Sequence, residues 1–208
     1  MNTPLPAVIG LCALTLSGCA NFNLFGGATG DDATVPGIDT SDLTRTVESE
    51  FVLANQTANG ADALAEAPTT GTAAYTGAIG ARTQGDIEGF LSGTLDVALV
   101  NFENGAVVGE LQDLALYGAD GTLDRAFTGA LNVDGDVAAD ATVDVAATGT
   151  IVDVSTGASE ESTVALDLDG TLRDDRREAD TIAGSVTGGG SGDFDFTLID
   201  GRFYLFED

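Results

Sequence analysis

The clearest chemistry in this sequence belongs to Cys19, which comes directly after Leu16-Ser17-Gly18. The preceding apolar run, residues 7–16, is too short to span a bilayer but has the length of a signal-peptide core. A cysteine behind two small residues fits a site at which the chain is cut and the new N-terminal thiol is acylated. We therefore predict a signal peptide over residues 1–18 and a lipid on Cys19.

This arrangement is the lipobox pattern of bacterial lipoproteins, and the residues around it bear on location. Ala20 and Asn21 follow the cysteine, and the lack of an aspartate there implies the outer rather than the inner membrane. Residues 1–6 contain no Lys or Arg, which departs from the usual start of a signal peptide and leaves an ordinary secretory signal as the alternative. The sequence leaves open whether the protein faces the cell surface or the periplasm.

The composition after the predicted cut narrows the chemistry that the chain can perform. The mature chain has one cysteine and no methionine, histidine or tryptophan, so zinc and copper sites lack their usual ligands. Ser-His-Asp and Cys-His catalysis cannot be assembled either. We expect no catalytic residues, no metal and no cofactor. Haem iron could be held only by the three tyrosines, which are Tyr75, Tyr117 and Tyr204.

The chain is also strongly acidic. It carries 34 Asp and Glu residues against 7 basic residues, all of them arginine, and its net charge is -27. Such a surface repels nucleic acid, so we expect no nucleic-acid partner. Solubility in a salty habitat explains the acidity, and attraction of basic proteins or cations is the functional alternative.

Three regions follow from the changes in sequence pattern. Residues 1–18 form the signal peptide, and residues 19–67 carry the lipidated cysteine, a tether and a short helix. That helix is predicted from the spacing of Leu43, Val47, Phe51 and Ala54, with Ser41 or Asp42 as its N-cap. Residues 68–208 form a separate domain, and the sequence leaves open whether residues 43–67 pack on it.

The domain over residues 68–208 shows glycine-punctuated alternation, which indicates strands joined by turns. Eight strands are predicted, over residues 72–82, 88–102, 106–118, 122–133, 137–153, 162–173, 180–187 and 193–206. Turns are predicted at Glu103-Asn104-Gly105, Ala119-Asp120-Gly121, Asp134-Gly135-Asp136 and Asp200-Gly201. The fold class is therefore all-β, an eight-stranded antiparallel up-and-down β-barrel, with a β-sandwich as the alternative. With only 13 aromatic residues, small aliphatic side chains should fill the interior.

Alternation is cleanest from Val137 to Ile151, where valines and alanines occupy one face and Asp or Thr the other. The phase slips near the C-terminus, because Phe194 and Phe196 do not share parity with Phe203, and a bulge or short turn near Asp200-Gly201 would explain it.

Two motifs invite a chemical interpretation. Asp167-Leu168-Asp169-Gly170-Thr171 has the pattern of a phosphatase nucleophile, but strand alternation explains it as inward leucines with outward polar residues. Gly188-Gly189-Gly190-Ser191-Gly192-Asp193 approaches a calcium-binding repeat but occurs once, so it has no copy to stack on.

Several glycine and aromatic segments resemble the barrel domain of transferrin-binding-protein-B-like lipoproteins, a group that includes factor-H-binding and haem-scavenging relatives. The similar segments are 68–77, 93–97, and the ending from 185–190 to 201–204, and the resemblance spans about residues 68–206. It implies an eight-stranded barrel, held at the outer membrane, that binds a protein or haem through its loops. We predict one barrel without the second lobe of the large members, so no ligand-binding residue is transferred.

The preferred function is a non-enzymatic lipoprotein, anchored in the outer membrane through Cys19, that binds an external protein or haem. A structural envelope lipoprotein without a specific ligand is the alternative, and a glycosidase with two acids across a cleft ranks third. The one arginine cluster supplies the candidate ligand-binding residues, because arginine is common at binding hot spots. These candidates are Arg173, Arg176 and Arg177.

Overall fold

The computed structural model describes residues 47–155, 157, 159–174 and 180–208, and at residues 98–100 it describes the backbone. These residues form one helix and ten strands. The elements are α1 Val47–Asn59, β1 Asp62–Ala63, β2 Thr72–Gly85, β3 Gly89–Asn101, β4 Ala106–Tyr117, β5 Leu123–Thr128, β6 Leu131–Val137, β7 Thr142–Asp153, β8 Glu160–Asp174, β9 Thr181–Gly192 and β10 Phe196–Glu207.

Eight of the strands close into a ring of antiparallel neighbours in the order β2-β3-β4-β6-β7-β8-β9-β10, and β10 pairs again with β2. The other two strands lie outside this ring. β1 pairs with the end of β8, and β5 pairs with β4 and β7 beyond the end of β6. The predicted up-and-down barrel is therefore confirmed, and the sandwich alternative is wrong because the sheet has no open edge between β10 and β2.

Several of the predicted strand boundaries are wrong, and the predicted strand 180–187 continues as β9 to Gly192. The predicted strand 137–153 is the end of β6, a turn and β7, in which the amide of Ala138 donates to the Thr142 carbonyl at 2.8 Å. The predicted turn at Asp134-Gly135-Asp136 lies inside β6. The predicted strand 122–133 is broken between β5 and β6, where Gly129 has a φ of 107°.

The main core fills the inside of the barrel. Its side chains come from alternate positions of the strands, as in β8, where Leu166, Leu168 and Leu172 are buried while Asp167 and Asp169 are exposed. The inward leucines predicted for this segment are thus confirmed, and the segment is a strand of the barrel wall. Burial of these large aliphatic side chains is the main favourable term in folding.

A β-bulge interrupts β10. The register of β10 against β2 shifts between Ile199 and Arg202, and Asp200 has a φ of 53°. The bulge adds a residue, so Phe196 and Phe203 both point into the core although their parity differs. The predicted irregularity at Asp200-Gly201 is therefore a bulge within a strand.

Helix α1 lies against the outside of the barrel, over β9, β10 and β2. Its buried Phe51 ring lies 5.7 Å from the Phe90 ring and 5.4 Å from the Tyr204 ring, centroid to centroid. Gly80 makes room for this packing, since a Cβ there would lie 2.6 Å from Phe90 and 2.8 Å from Phe51. The predicted short helix thus forms at Val47–Asn59, while Leu43, Ser41 and Asp42 lie outside the described residues.

Among the described residues, no helix is long and apolar enough to cross a membrane.

Salt should raise the melting temperature of this protein, because its net charge of -27 makes the folded surface repel itself. Added salt screens this repulsion, shortening its reach to about 8 Å at physiological ionic strength and about 3 Å at 1 M. We expect an increase on the order of 5 °C between dilute buffer and 1 M NaCl, measured by circular dichroism. A melting temperature that stays constant over this range would show that self-repulsion is a negligible cost.

Candidate functional site

Of the four residues that the sequence proposes as functional, the structure describes Arg173. Cys19, Arg176 and Arg177 lie outside the described residues.

Arg173 lies at the end of β8, and it holds the C-terminal end of α1. Its Nη1 donates to the carbonyl oxygens of Asn59 at 3.3 Å and Ala61 at 3.1 Å. These carbonyls belong to the last residue of the helix and to a residue just beyond it, where a positive charge also compensates the negative end of the helix dipole. Thr181 adds a third link, since its hydroxyl donates to the Ala58 carbonyl at 3.2 Å. The Arg173 guanidinium therefore has a structural partner within the chain.

Replacing Arg173 with methionine should destabilise the docked helix by about 1–2 kcal/mol, because the aliphatic stem remains and the charged hydrogen bonds are lost. Urea unfolding gives the total loss, and hydrogen exchange shows whether the amides of α1 lose protection first. Arg202→Met is the matched control, since the Arg202 side chain is exposed and should cost less than about 0.5 kcal/mol. Equal effects of the two substitutions would contradict a role for Arg173 in holding α1.

Both ends of the barrel are covered by its own chain. At one end the segment between β1 and β2 crosses over, and the amides of Leu64 and Ala67 donate to the carbonyls of Leu172 and Ala139, each at 3.0 Å. At the other end three core phenylalanines stack. Their ring centroids are 5.7 Å apart for Phe127 and Phe194 and 6.2 Å apart for Phe194 and Phe196. The interior is thus packed with side chains, but the prediction that small aliphatic residues fill it is wrong, because leucines, isoleucines and five aromatic residues make up most of the main core.

The tyrosines that could ligate haem iron are poorly placed for it. Tyr75 is 1% exposed in the main core, and Tyr204 is 9% exposed beneath α1. Burial raises the pKa of Tyr75, and the carboxylates of Glu207 and Asp180 raise it further. Burial also raises the pKa of Tyr204. A phenolate ligand requires the ionised form, so both environments oppose iron ligation. Tyr117, at the end of β4, is partly exposed.

A surface groove of about 790 Å³ lies between α1 and the outer faces of β7 to β10, and we call it the α1 groove. One wall is the helix face that carries Asn55, Gln56 and Asn59. The floor consists of small residues that face outward from β8 and β9. These are Thr171, Ala183 and Ser185. The groove exists because these small side chains leave space beside the helix.

Three charged residues and a serine form a row across the strands that line the α1 groove. Asp144 pairs with Asp169 across β7 and β8, Asp169 pairs with Ser185, and Ser185 pairs with Arg202. The four residues therefore form one row across four neighbouring strands, acidic at one end and basic at the other. In the described part of the chain no three acidic side chains come close enough together to hold a metal ion.

A second groove, of about 320 Å³, lies on the other side of α1. Phe51, Val52, Phe90 and Ile199 give it an apolar surface, and Arg202 lines it as well. Near its edge Arg82 Nη2 lies 2.6 Å from Glu48 Oε1, in an ion pair that is largely exposed to solvent. Arg202 is therefore the arginine that faces both grooves among the described residues.

Sequence inspection missed the α1 groove and Arg202. The groove depends on register between strands that are far apart in the chain. The sequence feature nearest to Arg202 was Asp200-Gly201, which predicted an irregularity just before it. This feature did not indicate in which direction the Arg202 side chain points.

Comparison with models of protein families, with curated proteins and with solved structures gave no match to this chain.

Proposed function

We propose that this protein is a non-catalytic lipoprotein, anchored in the outer membrane through Cys19, whose barrel binds an external protein on its outer surface. The observation that carries the proposal is the packed barrel, closed at both ends, which leaves the outside as the place for a ligand. The α1 groove supplies polar and charged side chains on that surface. The resemblance to transferrin-binding-protein-B-like lipoproteins supports the same class of function.

The structure favours a protein ligand over haem. The main core occupies the barrel interior, and burial holds Tyr75 and Tyr204 in their neutral form. A protein ligand needs an exposed surface with polar and charged groups, and the α1 groove provides one.

The positions of the described carboxylates support a non-catalytic role. Asp153 is the buried acid among the described residues, and its carboxylate is paired with Arg125 at 2.8 Å. Asp144 and Asp169 lie side by side on an exposed face. A glycosidase needs two carboxyl groups on opposite sides of a sugar ring, roughly 5–10 Å apart across a cleft. Asp144 and Asp169 do not have this arrangement, because they lie side by side on the same face of the sheet.

Membrane attachment and orientation are tested by fractionation and protease shaving of intact cells that express the full chain. The wild-type protein should sediment with the outer membrane, while Cys19→Ala should not. Protease should remove the wild-type barrel while a periplasmic marker survives. Protection until the envelope is opened would overturn surface binding and favour the alternative, a structural envelope lipoprotein.

Ligand binding is tested by capture of extracellular proteins on the same intact cells. Arg176→Ser with Arg177→Ser tests the arginine cluster while Arg173 continues to hold α1. Loss of capture by this double variant would assign the ligand to the β8–β9 connection. Absence of capture by the wild-type protein, with the barrel exposed on the surface, would overturn the proposed binding function.

A further inference from the structure

The α1 groove has opposite charges at its two ends. Asp169, Ser185 and Arg202 occupy directly paired positions on β8, β9 and β10. Neighbouring strands lie about 4.8 Å apart, so the Cα atoms of Asp169 and Arg202 are separated by about 10 Å. A ligand lying across these strands meets a carboxylate first and a guanidinium about 10 Å further on.

Arg202 has no partner for its charge within the described residues. Arg82 and Arg125 form ion pairs with carboxylates, and Arg173 donates to helix carbonyls, whereas no such contact is found for Arg202. Its side chain is exposed, in a chain of net charge -27. An exposed guanidinium with its donors unused is suited to bind a carboxylate from outside the molecule.

At the acidic end of the groove, Asp144 and Asp169 also form no ion pair within the described residues. Asp144 and Asp169 are directly paired across β7 and β8, and both are exposed. Like charges at directly opposed positions destabilise a sheet. A positively charged group of a ligand would relieve this repulsion, and a negatively charged group of the same ligand would bind Arg202.

The surface between the two ends is suited to the backbone of a peptide. The exposed amide of Gln56 and the hydroxyls of Thr171 and Ser185 line the groove, and these groups both donate and accept hydrogen bonds. The floor carries no large side chain that would block an extended chain.

We infer that the α1 groove binds a segment of the protein ligand in the polyproline II conformation that carries one basic and one acidic side chain three residues apart, because side chains at this spacing share one face and lie about 9 Å apart. The basic side chain lies on Asp144 and Asp169, and the acidic one lies on Arg202. This inference rests on the proposed function, because it specifies which part of the surface the protein ligand contacts and what chemistry it presents.

The direct test is titration of the full chain, isotopically labelled and carrying Cys19→Ala, with two capped tetrapeptides, acetyl-Lys-Gly-Gly-Glu-amide and acetyl-Glu-Gly-Gly-Lys-amide. One of the two charge orders should shift the amide signals of Gly184 and Ser185, with a dissociation constant of about 1 mM. Tetrapeptides with two lysines or with two glutamates should bind at least about fivefold more weakly. No shift for either mixed peptide at about 10 mM, or equal binding of all four, would overturn the inference.

Arg202→Gln should lower the affinity for the mixed-charge peptide by about fivefold or more, since the charged contact with the glutamate of the peptide is lost. Arg82→Gln is the matched control, because Arg82 is also an exposed arginine but does not line the α1 groove, and it should bind the peptide like the parent protein. Equal affinity of the Arg202→Gln variant and its parent would overturn the assignment of Arg202.

Capture on intact cells separates this inference from the proposed function. Loss of capture by Arg202→Gln, with Arg82→Gln unaffected, supports the groove as the contact surface. Full capture by Arg202→Gln would overturn the groove and leave the proposed function standing. Absence of capture by the wild-type protein would overturn the proposed function itself.

Discussion

Replacing Gly189 with alanine is expected to lower the free energy of unfolding by about 3 kcal/mol, because the added Cβ has no room in the barrel wall. Gly189 in β9 pairs with Thr197 in β10. A Cβ at Gly189 would meet the carbonyl oxygen of Phe196 and lie 3.1 Å from the Cα of Thr197. These are backbone atoms of the next strand, so relief of the contact requires the β9–β10 ladder to move. Urea unfolding followed by circular dichroism measures the loss.

Thr187→Val is the matched control for this prediction. Thr187 lies two positions earlier in β9, and its side chain is exposed, so the substitution should change stability by less than about 0.5 kcal/mol. A Gly189→Ala variant as stable as Thr187→Val would mean that β9 and β10 are not held as closely as the structure has them.

Replacing Arg125 with methionine should cost about 2–3 kcal/mol at neutral pH, because it leaves a buried carboxylate without its cation. The Asp153 side chain is 0% exposed, and its Oδ2 lies 2.8 Å from Nη1 of Arg125. The amide of Ser155 donates to the other carboxylate oxygen at 2.8 Å. Burial raises the pKa of Asp153, but the hydrogen bonds from Ser155 and Arg125 outweigh it and hold the pKa below its usual value.

The stability loss caused by Arg125→Met should depend on pH, and the lowered pKa of Asp153 determines in which direction. A carboxyl group with a lowered folded-state pKa stabilises the protein above its unfolded-state pKa of about 3.9, and the contribution is lost as pH falls through the folded-state pKa. Without Arg125 the pKa of Asp153 should rise, since burial remains and one lowering contact is gone. The deficit of Arg125→Met relative to wild type should therefore be largest at neutral pH and shrink as the buried carboxyl takes up a proton.

Unfolding free energies of both proteins, measured from neutral pH to about pH 4, test this sign. Arg125→Met combined with Asp153→Asn serves as the control, because it removes the buried charge and should recover part of the loss at neutral pH. A deficit that is constant over this pH range would show that the cost of Arg125→Met does not come from the Asp153 charge.

The misplaced turn in the region 137–153 has a clear cause. Val137 is the last residue of β6 and Val143 is the second residue of β7, and both side chains point into the core. An even number of positions separates them, so inward parity is the same on both sides of the turn. Ala141 in the turn is also buried, at a φ of 63°. A hairpin with these properties has the same alternation as one long strand, and only the pairing of β6 with β7 distinguishes the two.

The glycines of β9 were misleading for a related reason. Residues 188–192 have the composition of a loop or a metal-binding repeat, yet all five are paired with β8, and Gly189 and Gly190 are also paired with β10. A Cβ at Gly190 would lie 2.5 Å from the Ser162 hydroxyl, and one at Gly189 would contact the backbone of β10. Glycine is required at these positions because the neighbouring strands approach closely. Composition alone does not reveal this close approach.

The sequence by itself determined the alternation that makes an all-β domain, the spacing that makes α1, and the acidic surface. These features follow from local periodicity, which any segment expresses without its partners. The predicted lipidation of Cys19 has the same local basis and stays a prediction.

Only the tertiary structure decided where α1 docks, what Arg173 contacts and which way Arg202 points. The amide of Asn55 donates to the Phe203 carbonyl at 3.0 Å across 148 positions of chain, a contact that exists only once the barrel has closed. The bulge at Asp200 shifts the parity of β10 by one residue, and without it Arg202 would face the core. The α1 groove depends on strand register and on one extra residue, and neither is encoded in local periodicity.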